Sequence, residues 1–165
     1  MLQGKDDHHI KHVAHSYIQT NVAPPTTVFP LLCPVRETEW VPGWKYRLIH
    51  SKSGLAELGC VFATPNPDGS DTTWIVTDYD PLRRIAFTWL WPGMIATRLI
   101  IELQPKGDSQ TSAHISYEYT ALSERGESEL DLYDKTWFAS KMTGWEIAIN
   151  HYLETGRKLS EAAAG

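Results

Sequence analysis

Between Trp44 and Leu122 the chain is cut repeatedly by turn signals, and that punctuation limits the fold more than any other feature. "WKYRLIHS" and "LGCVFAT" flank a connection containing "KSG". "PNPDGSD" carries Pro-Asp-Gly turn chemistry ahead of "TTWIVTDY", and Asp80-Pro81 opens the turn into "RRIAFTWLW". Pro92-Gly93 suits a type II turn before "IATRLIIELQ", and "KGDSQ" leads into "TSAHISYEYTAL". Six strands on such short connections form an antiparallel meander, because a parallel pair needs a crossover of a dozen or more residues.

Residues 10–20, "IKHVAHSYIQT", add a strand before this series. The stretch that follows, "APPTTVFPLLCPVRETEWVPG", is divided by prolines into two short helices. Thr27 is expected as the N-cap of the first, which tolerates Pro30 in its first turn and ends at Pro34. The second is expected from about Pro34 to Val41, where Pro42-Gly43 stops it. From about Glu127 to Thr155 the pattern turns helical: Phe138, Met142, Trp145, Ile149 and Tyr152 make one apolar stripe. Leu130, Tyr133 and Trp137 sit rotated from it, so the first turns are expected to be either bent or not helical. Gly156 follows as a C-cap, with Arg157 and Lys158 at the negative end of the helix dipole. Some 29 residues at ~1.5 Å each reach about 43 Å. A seven-stranded sheet cannot lie flat over that length, because twist makes it curl. The expectation is an α+β fold in one domain, residues 1–165. A curved seven-stranded antiparallel sheet wraps a long C-terminal helix, and two short helices follow the first strand.

Period-two alternation sorts the faces. Leu99, Ile101 and Leu103 share one side, as do Ala113, Ile115, Tyr117 and Tyr119, and Ile85, Phe87, Trp89 and Trp91. Cys60 and Phe62 join this inner set, while Trp74 and Ile75 leave their strand ambiguous. A bent sheet with one helix encloses more volume than these side chains fill, so the candidate ligand-binding residues are Phe62, Phe87, Trp89, Leu99, Ile101, Tyr117, Tyr119, Phe138, Met142 and Trp145. Gly144 and Ala148 leave the helix bare beside the stripe, for close packing or for a gap. Trp40 and Trp44, either side of the Pro-Gly break, either stand at the cavity rim or pin the helix pair to the body. Arg36, Glu37 and Glu39 are expected on the wet face of the second short helix.

Other chemistries find little support. With 15 Lys and Arg against 20 Asp and Glu the formal charge is −5 without a basic cluster, which argues against nucleic acid. No apolar run approaches the ~20 residues of a membrane span, and "MLQGKDDHH" is no secretory signal. Cys33 and Cys60 make neither a disulfide framework nor a CxxC motif, so a cytoplasmic protein with free thiols is the default. His8, His9, His12 and His15 crowd the start, but His12 and His15 point to opposite faces and His9 lies too far from His15, so no metal site is expected. His50, His114 and His151 are isolated. No GxSxG, HExxH or phosphate loop occurs, and "DYDPLRR" reads as a turn with surface ion pairs. Oligomeric state is not legible.

Three stretches resemble the START/SRPBCC superfamily, the helix-grip fold of the birch-pollen allergen, polyketide cyclases and heat-shock ATPase activators. "VFPLLCPVRETEWVPGW" looks like the segment after the first strand in bacterial members, "TTWIVTDYDPLRRIAFTW" like their fourth-to-fifth strand hairpin, and "WEIAINHYLETGRK" like their C-terminal helix. The resemblance spans residues 8–158 in the family's element order. It implies a deep hydrophobic cavity between sheet and long helix, with its mouth near the short helices, and no particular reaction. The leading expectation is binding of a small hydrophobic or aromatic molecule, lipid-like or polyketide-like. The alternatives are a cofactor-free cyclase or dehydratase using Tyr117, Tyr119 or Asp78 as acid/base, and an interaction protein like the ATPase activators.

Overall fold

The computed structural model describes residues 10–160. His8 and His9 therefore lie outside the described residues. Seven strands, β1 (His12–Asn21), β2 (Arg47–His50), β3 (Val61–Pro65), β4 (Asp71–Asp80), β5 (Arg84–Trp91), β6 (Ile95–Lys106) and β7 (Gln110–Ala121), form one sheet in the order β1-β7-β6-β5-β4-β3-β2. Every pairing is antiparallel, so the expected meander is present with the first strand added beside the last. Helices α1 (Pro25–Val28) and α2 (Pro34–Glu37) follow β1, and α3 (Glu124–Leu130) and α4 (Lys135–Thr155) follow β7. The sheet curves around α4. Among the described residues, no helix is long and apolar enough to cross a membrane.

The helices differ in detail from expectation. Thr27 lies inside α1, whose N-cap is Pro24, and Pro30 opens a separate 3-10 turn over Phe29–Leu31. Pro34 starts α2, where its missing N–H costs nothing, and the helix ends at Glu37, short of Val41. The single helix expected from Glu127 to Thr155 is two. Ser123 caps α3 by accepting from the Gly126 N–H at 3.1 Å, and Asp134 caps α4 by accepting from the Trp137 N–H at 2.8 Å. Two N-caps eleven residues apart cannot serve one rod, so the chain turns at Asp131–Asp134. The 21 residues of α4 are about 31 Å long. Gly156, at φ 69°, ends it in the left-handed conformation with its N–H on the Tyr152 carbonyl at 2.7 Å.

Parity is as read along β5, β6 and β7, and register turns it into rows across the concave face. One row runs Phe62, Trp74, Trp89, Thr97, Tyr119; the next runs Val76, Phe87, Leu99, Tyr117, His15. In β4 Trp74 faces inward, and Ile75 is more than a third exposed. A bulge at Thr77 then shifts the alternation, so that Tyr79 points in where simple counting would place Asp78. Asp78 instead sits on the outer face, 2.8 Å from Arg84.

At the β4–β5 turn the Asp80 carbonyl accepts from the Arg83 N–H at 3.0 Å, and Leu82 is held at φ 71°. That position favours glycine or asparagine, and a leucine there costs about 1–2 kcal/mol. Leu82 is 42% exposed and outside the core, so Leu82→Asn is expected to raise stability by about 0.5–1 kcal/mol in urea melts.

Candidate functional site

Sheet and α4 do not meet everywhere. Between them lies a cavity of about 250 Å³. Phe62, Trp74, Phe87, Leu99, Ile101, Ile115 and Tyr117 form its sheet wall, and Lys141, Met142 and Trp145 its α4 wall. Glu37, Val41 and Trp44, from α2 and the turn after it, close the remaining side. A groove bordered by Pro42, Ser140 and Gly144 adjoins the cavity and shares Val41, Lys141 and Trp145 with it. A side chain at Gly144 would meet nothing within 4 Å, so its bare surface faces a gap and not a packed neighbour.

Of the residues singled out in the sequence, Trp44, Phe62, Phe87, Leu99, Ile101, Tyr117, Met142 and Trp145 stand on this wall. Trp40, Trp89, Tyr119 and Phe138 lie one layer behind it. Trp40 is fully buried, donates from Nε1 to the Leu31 carbonyl at 2.9 Å and meets Trp145 edge-on at 4.9 Å. It pins the helix pair and does not form a rim. Trp44 does both jobs: its Nε1 donates to the Pro34 carbonyl at 2.8 Å while its ring borders the cavity. Phe138 stacks on His15 at 4.9 Å, and His15, half-buried, donates from Nε2 to the Tyr133 carbonyl at 2.7 Å.

Three wall residues carry ionisable groups, and two of these escape a sequence reading. Glu37 faces the cavity, whereas Arg36 and Glu39 stay outside as an ion pair extended by the Tyr152 hydroxyl on Glu39 at 2.9 Å. A four-residue helix has no periodicity to report which way Glu37 points. Burial pushes its carboxyl up to about 8. The Lys141 ammonium lies 5.2 Å from the Tyr117 ring centre and 5.1 Å from that of Trp137. Burial of that ammonium draws its pKa down to about 8. Lys141 as a residue is solvent-exposed, and this access to water limits the depression. Burial, then the nearby Glu37, raises the Tyr117 hydroxyl. The other acid/base candidates are elsewhere, Tyr119 behind the wall and Asp78 on the outer face.

Behind Trp74, three buried polar atoms have no partner: Trp89 Nε1, Thr97 Oγ1 and the Tyr119 hydroxyl. Thr97 pairs in register with both of the others, so the three orphans are neighbours. Among the described residues, no three His, Cys, Asp or Glu side chains gather to hold a metal ion.

No protein-family model matches this sequence, and no curated protein does either. Solved structures do match in shape. Norcoclaurine synthase from Thalictrum flavum superposes with a TM-score of 0.63 at 12% identity, over 94% of this chain and 97% of that one. The Mll3558 protein from Rhizobium loti gives 0.61 at 18% identity, over 87% and 99%. Ara h 8.0201 gives 0.59 at 14% identity, over 88% and 99%. The chain has the helix-grip fold. The helix-grip neighbours agree with the START/SRPBCC resemblance of the quoted stretches, and at these identities the likeness is one of fold. In helix-grip terms, α4 is the gripped helix and the cavity lies in the palm of the sheet.

Proposed function

We propose that the chain binds a small hydrophobic, ring-bearing molecule in this cavity, with Trp44, Phe62, Phe87, Leu99, Ile101, Tyr117, Met142 and Trp145 in contact with it. The observation that carries this reading is an aromatic-walled chamber of about 250 Å³ with a groove adjoining it beside Gly144. A mostly apolar hollow with a few polar groups is the usual form of a ligand site. An engineered apolar cavity of about 150 Å³ holds benzene, so one or two rings fit here. Norcoclaurine synthase, of the same fold, has been solved in complex with dopamine and hydroxybenzaldehyde, both single-ring compounds. Titration with the neutral two-ring probe 1-naphthylamine is expected to give saturable binding with quenching of tryptophan emission. Trp44→Phe should weaken it several-fold. Folded protein that never saturates would overturn the reading.

A second reading is favoured by one observation. Glu37 and Lys141 border the same chamber with acidities both moved toward neutrality, as acid/base pairs of enzymes often are. A cyclase- or dehydratase-type reaction would then use Glu37, Lys141 or Tyr117, with confinement supplying orientation. Turnover of a polyketide-like substrate lost in Glu37→Gln, with binding retained, distinguishes it from simple binding.

A further inference from the structure

The polar part of the chamber is lopsided. Lys141 offers three N–H donors and no acceptor, and among the described residues no carboxylate lies within ion-pair distance of it. The rings of Tyr117 and Trp137 lie beside the ammonium, and rings do not neutralise a cation. The Tyr117 hydroxyl borders the chamber and has no hydrogen-bond partner among the described residues. Glu37, protonated below about pH 8, adds a further O–H. The titratable groups that face this space are Glu37 from α2, Tyr117 from β7 and Lys141 from α4. Near neutral pH they present donors and one uncompensated positive charge. A hydrocarbon guest would displace water from the chamber side of that charge without giving it a partner, which is unfavourable. An anionic oxygen would satisfy it.

We infer that the ligand is an amphipathic anion, a body of one or two rings among Phe62, Trp74 and Phe87 with a carboxylate held by Lys141 and within the donor set of Glu37 and Tyr117. The inference rests on the binding reading above and narrows its ligand class. Charge-assisted hydrogen bonds are roughly twice as strong as neutral ones, which sets the expected preference at about tenfold or more.

The test compares naphthalene-2-carboxylate with naphthalene-2-carboxamide, near-isosteric but neutral, by tryptophan quenching at pH 6.5 and low salt. The wild type is expected to bind the carboxylate at least about tenfold tighter. Lys141→Met should collapse that ratio to about one. Lys135→Met, the same charge change in the exposed first turn of α4, should keep it. The ratio should also shrink between pH 7 and pH 9, as Glu37 gains negative charge and Lys141 loses its proton. Equal affinities in the wild type, a ratio that survives Lys141→Met, or one that collapses equally in Lys135→Met would overturn the inference and leave cavity binding standing. Failure of both naphthalenes and of the neutral probe to bind would overturn both.

Discussion

Glu37→Gln is expected to raise stability above pH 8 and to change it little near pH 5. Burial lifts this carboxyl from its ordinary 4.5 to about 8 in the fold, while the unfolded chain keeps the ordinary value. Between those two pH values the folded state holds a proton that the unfolded state has released. Stability therefore falls as pH rises through this window, and levels off above it. Lys141 acts in the opposite sense in the adjoining window. Its pKa drops from 10.5 to about 8, so from pH 8 upward the unfolded state binds the extra proton and stability climbs. The two contributions sum to a trough near pH 8, measurable by urea melts across a pH series. Glu37→Gln should remove the falling limb and Lys141→Met the rising one. One pKa unit is worth about 1.4 kcal/mol, which sets a ceiling of several kcal/mol for Glu37; relaxation and the partial exposure of this residue reduce it to roughly 2 kcal/mol. Solvent access makes the lysine limb shallower. Identical profiles for wild type and Glu37→Gln would mean that the carboxyl reaches water.

Gly126→Ala should cost about 3 kcal/mol, and the reason is backbone meeting backbone. A Cβ there would lie 1.9 Å from the Met94 carbonyl oxygen and 2.9 Å from its carbon. That oxygen also accepts from the Leu122 N–H at 2.8 Å, so it cannot swing away without breaking the link between the β5–β6 and β7–α3 connections. Alanine gains about 1 kcal/mol of helix propensity, too little to offset the overlap. Gly144→Ala is the matched control, since its methyl would meet nothing within 4 Å and should stabilise α4 by up to about 1 kcal/mol. Equal effects from the two substitutions would show that α3 is not seated against Met94.

The sheet was legible because alternation and turn chemistry act locally. Asp80-Pro81, Pro92-Gly93 and the parity of β5 to β7 are properties of a few adjacent residues. What was hidden depends on partners distant in the chain. The bulge at Thr77 shifts parity in mid-strand, and no residue there advertises it. The break between α3 and α4 had signals in Leu130, Tyr133 and Trp137, which sit rotated from the stripe that begins at Phe138, and in Ser123 and Asp134, two good N-cap residues whose position fixes where the chain turns. Glu37 and Lys141 were missed for a general reason. Charged side chains face water by default, and only the surrounding walls reveal that these two also border the chamber. Trp74 was undecided until register placed it in a row with Phe62 and Trp89.

The segment from Glu37 to Trp44 has a consequence for how such a chamber can change its tenant. It supplies a carboxyl, an aliphatic side chain and an indole to one side of the space. Its ties run mainly to the helical layer: Trp40 to Leu31, Trp44 to Pro34, Glu39 to Tyr152. The strands keep their registry through pairings in which this segment takes no part. Rewriting a single short stretch would alter which guests are admitted while the curved sheet folds as before, so diversification within one scaffold has an obvious place to begin.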